Sequence, residues 1–132
     1  MKEKESLDEL NKLSSRIIGC AREVHKELGP GLLESVYEIC LAKELLCSGL
    51  SFERQVILPV VYKADRLNLD FRIDILVENE IVIELKAIDA ILPVHEAQLI
   101  TYLKLSGKRL GLLINFNQAT LKDGIKRRLN GY

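Results

Sequence analysis

The residues best placed to do chemistry in this chain are Asp74, Glu84 and Lys86. Glu84 and Lys86 interrupt an aliphatic run, Ile81-Val82-Ile83-Glu84-Leu85-Lys86-Ala87. A strand turns successive side chains to opposite faces, so these two charges share one face. Buried charge is costly unless it is paired or put to use. Upstream, residues 67–77 read as a second strand, and Glu78-Asn79-Glu80 reads as a three-residue hairpin loop in which Asn tolerates the left-handed conformation. That register sets Val77 against Ile81, Ile75 against Ile83 and Ile73 against Leu85, an entirely aliphatic face. The other face sets Leu76 against Val82, Asp74 against Glu84 and Arg72 against Lys86. A two-residue loop would bring Asp74 opposite Ile83, which the hydrophobic pattern opposes.

Directly opposed side chains lie about 5 Å apart at Cβ. Two carboxylates at that spacing repel, and one takes up a proton unless a cation intervenes. Asp and Glu oxygens suit Mg²⁺ or Mn²⁺. Lys86 beside them could hold a negatively charged oxygen or orient a water. The competing reading is structural, with Lys86 neutralising Glu84 and Arg72 neutralising Asp74.

The elements that must position these residues follow from periodicity. Ser6-Leu7-Asp8-Glu9 fits a helix-capping box, and Leu10, Leu13, Ile17, Ala21, Val24 and Leu28 form one helical stripe. Gly29-Pro30-Gly31 ends that helix, and a second runs over residues 32–48. Residues 52–62 read as a strand, with Pro59 marking an edge or a bend. Residues 63–66 read as a turn. After the strand at 81–87, Pro93 opens a helix over 94–105. Residues 109–116 form a nearly apolar, interior strand. Thr120 to Leu129 is expected to be a short basic helix. Three strands with short turns make an antiparallel meander, and the strand–helix–strand unit that follows makes a right-handed parallel crossover. The expected fold is α/β, a single domain over residues 1–132 with a four-stranded mixed sheet flanked by helices.

Composition narrows the class without choosing the activity. The chain has 132 residues, 48% hydrophobic and 29% charged, enough for one core. No apolar run approaches a membrane span, and the mixed-charge start is unlike a signal peptide, so a cytoplasmic location is expected. Cys20, Cys40 and Cys47 are odd in number and lack C-x-x-C spacing, so all three are expected to be small buried hydrophobes. The net charge is zero, yet residues 101–132 hold seven Lys/Arg against one acid. Such a basic end could touch phosphates, or simply complement a helix C-terminus.

Asp74 followed by Glu84-Leu85-Lys86 across a hairpin resembles the PD-(D/E)XK nuclease superfamily, as does the αβββαβ order of elements, which implies a restriction-endonuclease-like core. More closely, the chain resembles the GxxExxY proteins, on Gly31-Leu32-Leu33-Glu34-Ser35-Val36-Tyr37 and on the stretches 52–55, 71–77, 94–104 and 111–116. The resemblance implies that Asp74 and Glu84 bind the metal and that Lys86 is the catalytic lysine. It implies that Glu34 is a helical acid near the metal, and that Gln98 and Tyr102 form a Gln-x-x-x-Tyr pair. Ile73 stands where the superfamily's proline is usual. Read from the residues alone, Glu34 equally suits a helix start, Tyr37 suits the core, and Gln98 could hold a water or cap a carbonyl. His95 reads as an ordinary polar residue.

The expected activity is a Mg²⁺- or Mn²⁺-dependent phosphodiesterase, a nuclease acting on DNA. RNA with the same chemistry, or a catalytically silent nuclease-fold binding or scaffold module, stand as alternatives. A dimer or other homo-oligomer would add surface for nucleic acid.

Overall fold

The computed structural model describes residues 6–131, with the side chains of 68–70 left aside. The first helix, α1 (Leu7–Leu28), starts where Ser6 Oγ accepts the Glu9 N–H at 3.1 Å. It buries Leu10, Ile17, Ala21 and Val24 from the expected stripe. Each large aliphatic so buried contributes roughly 1.5–3 kcal/mol. Gly29, at φ 66°, ends α1. The second helix, α2 (Glu34–Cys47), follows and buries Tyr37, Leu41 and Leu45.

The strands are β1 (Phe52–Tyr62), β2 (Asp65–Val77) and β3 (Ile81–Lys86), then, after helix α3 (Pro93–Ser106), β4 (Leu110–Asn115) and β5 (Ile125–Leu129). They form one five-stranded sheet in the order β1-β2-β3-β4-β5. The meander is antiparallel, and β3 and β4 are parallel across α3, as expected. Pro59 falls where the β1–β2 register shifts, on an edge strand. Helices α1 and α2 share the core on one face with Ile75, Ile83, Leu85 and Ile114. Helix α3 packs on the other, placing Leu99, Tyr102 and Leu103 with Leu58, Leu76, Val82 and Leu113. Among the described residues, no helix is long and apolar enough to cross a membrane.

Three expectations are corrected. The sheet has five strands rather than four, because 120–129 forms a 3₁₀ turn (Leu121–Gly124) and then β5 instead of a basic helix. The cause is β4: all six of its residues are buried, and its free edge must be hydrogen-bonded. Pairing with β5 does this, from Leu110↔Leu129 to Ile114↔Ile125. The cysteines are not uniformly buried: Cys20 is, Cys40 is half-buried and Cys47 is exposed, all as free thiols. Finally, the β2–β3 ladder stops at Ile75↔Ile83, so Ile73 leaves the face of Ile75 and packs in the α3-side core.

Candidate active site

The ladder stops where the acids begin. Beyond Ile75↔Ile83 the two strands exchange side-chain bonds in place of backbone bonds. The Asp74 N–H donates to Glu84 Oε2 at 2.8 Å, and the Leu85 N–H donates to Asp74 Oδ2 at 2.7 Å. Each carboxylate thus satisfies an amide on the neighbouring strand that the parting ladder would have left without a partner. Asp74 and Glu84 converge, as the hairpin register anticipates, but by splaying the strands apart.

Electrostatics at this junction are strained. Glu84 is 6% exposed. Burial, and then the Asp74 charge, push its carboxyl up to about 8, against relief from the Asp74 N–H and Lys86. Asp74 is raised mainly by burial, and further by the charges of Glu38 and Glu34, while the Leu85 N–H and Lys86 lower it. The half-buried Lys86 acts on both carboxylates. It is held at the end of β3 by the pairing with Asn115 and by the Phe116 N–H donated to its carbonyl at 2.9 Å.

Glu34 is the first residue of α2, exposed, and its charge reaches both Asp74 and Glu84. Tyr102 on α3 is buried, and its hydroxyl is raised by burial and then by the charges of Glu84 and Asp74. The exposed Gln98 donates from Nε2 to Tyr102 Oη at 3.1 Å, so the pair extends from the surface to the acids. Asp74, Glu84, Lys86, Glu34 and Tyr102 are thus linked by charge, and Gln98 joins them through Tyr102. Tyr37 belongs to the core: it stacks on Phe116 at 4.5 Å, donates to the Gly29 carbonyl at 2.6 Å and accepts the Leu32 N–H. It fastens the loop that delivers Glu34. His95 Nδ1 accepts the Leu92 N–H and caps α3.

Three supporting residues escaped the sequence reading. Asn115, fully buried, accepts from Ile88 and Asn117 N–H and donates to the Ile88 carbonyl, fixing the chain just after Lys86. Glu38, one helical turn after Glu34, is buried and paired with Arg54 at 2.9 Å. Gln55 donates to Glu38 Oε1 at 2.8 Å and has φ 54°, a left-handed conformation costing about 1–2 kcal/mol for such a residue. The i, i+4 spacing of Glu34 and Glu38 was the visible signal for Glu38. Gln55 ends the family-like stretch 52–55, but nothing local marks its left-handed conformation.

The donor set fits a hard divalent cation. Among the described residues no three His, Cys, Asp or Glu side chains are grouped closely enough to cage a metal by themselves. Mg²⁺ does not need such a cage, since one or two carboxylates, waters and substrate phosphates complete its six oxygens. The buried Glu84 and the half-buried Asp74, both with raised proton affinity, have the chemistry that such a pair of ligands would need.

Residues 11–128 match a family model described as the PD-(D/E)XK nuclease superfamily. No curated protein and no solved structure matches the chain.

Proposed function

The chain belongs to the PD-(D/E)XK nuclease superfamily, and from that premise we propose that it is a Mg²⁺- or Mn²⁺-dependent phosphodiesterase that hydrolyses DNA, akin to the GxxExxY branch. The observation that carries the reading is the exchange between Asp74 and Glu84: both acids are drawn into one strand junction, and Glu84 is left with a strongly raised pKa. A bound divalent cation would offset that excess charge, polarise the scissile phosphate and acidify a water.

The chain's own residues do the rest. Asp74 Oδ2 and Glu84 Oε2 are engaged by backbone N–H groups, which fixes both side chains, and these two carboxylates would hold the cation. Lys86 sits beside them with a charge that no contact ion pair consumes among the described residues. It stabilises the negative charge that grows on the phosphate oxygens as water adds to phosphorus and the ester P–O bond breaks. The departing alkoxide takes its proton from solvent. Tyr102, steadied by Gln98, orients the phosphate or the attacking water. Glu34 keeps the electrostatic field at the entrance negative, and so favours a cation there. Exposed Lys126 and Arg127 on β5 are candidates for backbone contacts with the nucleic acid.

The test is incubation of the purified protein with labelled single- and double-stranded DNA and RNA in Mg²⁺ or Mn²⁺. DNA cleavage that disappears in Glu84→Ala and Lys86→Ala supports the reading. Cleavage of RNA alone replaces the substrate. No cleavage, together with no metal-dependent rise in Tm, overturns it.

A further inference from the structure

Glu38 and its two partners on β1 stand on the other side of Asp74 from Glu84. The β1–β2 register pairs Arg54 with Ile75 and Val56 with Ile73, so Gln55 lies across from Asp74, and that one pair is missing from the ladder. Neighbouring residues of a regular strand point to opposite faces. Arg54 and Gln55 nevertheless both reach Glu38: Arg54 Nε donates to Oε2 at 3.0 Å and Gln55 Nε2 to Oε1 at 2.8 Å. The left-handed turn at Gln55 makes this possible, because it reverses the alternation for one residue. Both oxygens of a buried carboxylate are thereby used to hold β1 in a conformation that a residue other than glycine rarely adopts.

We infer that Glu38, Arg54 and Gln55 form a clamp that keeps Asp74 out of the β1–β2 ladder, so that its carboxylate stays turned toward Glu84. Asp74 is then released from regular pairing on both sides: toward β1 by the flipped Gln55, and toward β3 by the exchange with Glu84 and Leu85. Glu38 is in this sense a positioning residue, acting through β1, rather than a ligand. The role in metal binding rests on the metal reading of Asp74 and Glu84. The backbone role does not.

The experiment compares three variants with the parent protein. Gln55→Val places a β-branched residue that resists positive φ, Gln55→Gly accepts positive φ without a side chain, and Glu38→Gln keeps one acceptor but loses the charge facing Arg54. Amide hydrogen exchange is followed by NMR at Asp74 and Leu85, with Leu112 and Ile114 as internal references. Mn²⁺ binding is measured by calorimetry. The clamp predicts that Gln55→Val lowers protection of Asp74 and Leu85 at least tenfold relative to β4, and weakens Mn²⁺ binding at least tenfold. Gln55→Gly, which accepts the φ but loses the bond to Glu38, and Glu38→Gln, which keeps one acceptor, should both fall between the parent and Gln55→Val. Parent-like protection at Asp74 and Leu85 in folded Gln55→Val overturns the clamp. If the parent takes up no Mn²⁺, the metal reading fails, and the exchange data still decide the clamp. If Gln55→Val does not fold, Glu38→Gln decides it by the same two amides.

Discussion

Replacing Glu84 by Gln should make the metal-free protein more stable in alkaline solution, although it removes an ionisable group from the centre of the site. The folded Glu84 carboxyl titrates near 8, against an ordinary value of 4.5, because burial and the Asp74 charge oppose ionisation. A folded pKa above the unfolded one means that the folded state holds the proton more tightly. The stability it confers is complete below 4.5 and is lost as the pH rises through 8. The difference of about 3.5 units, at 1.36 kcal/mol each, corresponds to about 5 kcal/mol above pH 8. Water entering the parted strands relieves part of that cost, so an advantage of ~2–5 kcal/mol is expected for Glu84→Gln at pH 9. The carboxamide mimics the protonated acid, and its oxygen can still accept the Asp74 N–H. The measurement is thermal unfolding from pH 4.5 to 9 in chelator. At about 3–5 °C per kcal/mol for a chain of this size, the variant should gain at least ~6 °C at pH 9 and roughly nothing at pH 4.5. Saturating Mn²⁺ should narrow the gap by stabilising only the parent. A variant less stable than the parent at pH 9 without metal would refute the electrostatic account of the site.

Metal affinity should rise about tenfold per pH unit up to pH 8, because the cation competes with the Glu84 proton; calorimetric titration with Mn²⁺ at pH 6, 7 and 8 reads this directly. Lys86→Ala should lower the hydrolysis rate by about 10²–10³, while the Mn²⁺-induced rise in Tm survives. Tyr37→Phe should lose about 1–2 kcal/mol in denaturant unfolding, since the Leu32 N–H and the Gly29 carbonyl both lose their partner. Gly111→Ala should cost about 1–3 kcal/mol, because a Cβ there would lie 2.7 Å from Leu99 Cδ1 and force the Leu99 side chain out of its packed position.

What could be read from the chain follows the range of the physics involved. Leu10, Ile17, Ala21 and Val24 repeat within one helix, so their stripe is visible locally, and they are buried as expected. The meander and crossover also follow from short-range signals, namely turn lengths and the intervening helix. β5 was hidden because Ile125-Lys126-Arg127-Arg128-Leu129 carries three adjacent cations, and its strand conformation comes from β4 rather than from its own propensity. The signal lay elsewhere in the chain: an interior reading of β4 already demands a neighbour on each side. At the site, the shared face of Asp74 and Glu84 was legible from alternation. Their exchange of backbone bonds was not, because alternation assumes a regular ladder, and the ladder ends at Ile75 and Ile83. Gln55 is the same failure on the opposite side, a flip set by Glu38 from a different helix.

The choice between a structural salt bridge and a chemically poised site turns on sign. If Lys86 were there to neutralise Glu84, their attraction would dominate, and the carboxyl would titrate below its ordinary 4.5. It titrates near 8 instead: burial and the Asp74 charge outweigh everything Lys86 and the Asp74 N–H supply. Asp74 shifts upward as well, with Glu38 and Glu34 adding to the effect of burial. Glu38 is itself compensated by Arg54. A chain that only needed a stable hairpin would fill those positions with residues like Ile75 and Ile83 and continue the ladder. This one interrupts the ladder on both sides of Asp74 and leaves Glu84 buried with its ionisation opposed, a cost that the proposed divalent cation would offset.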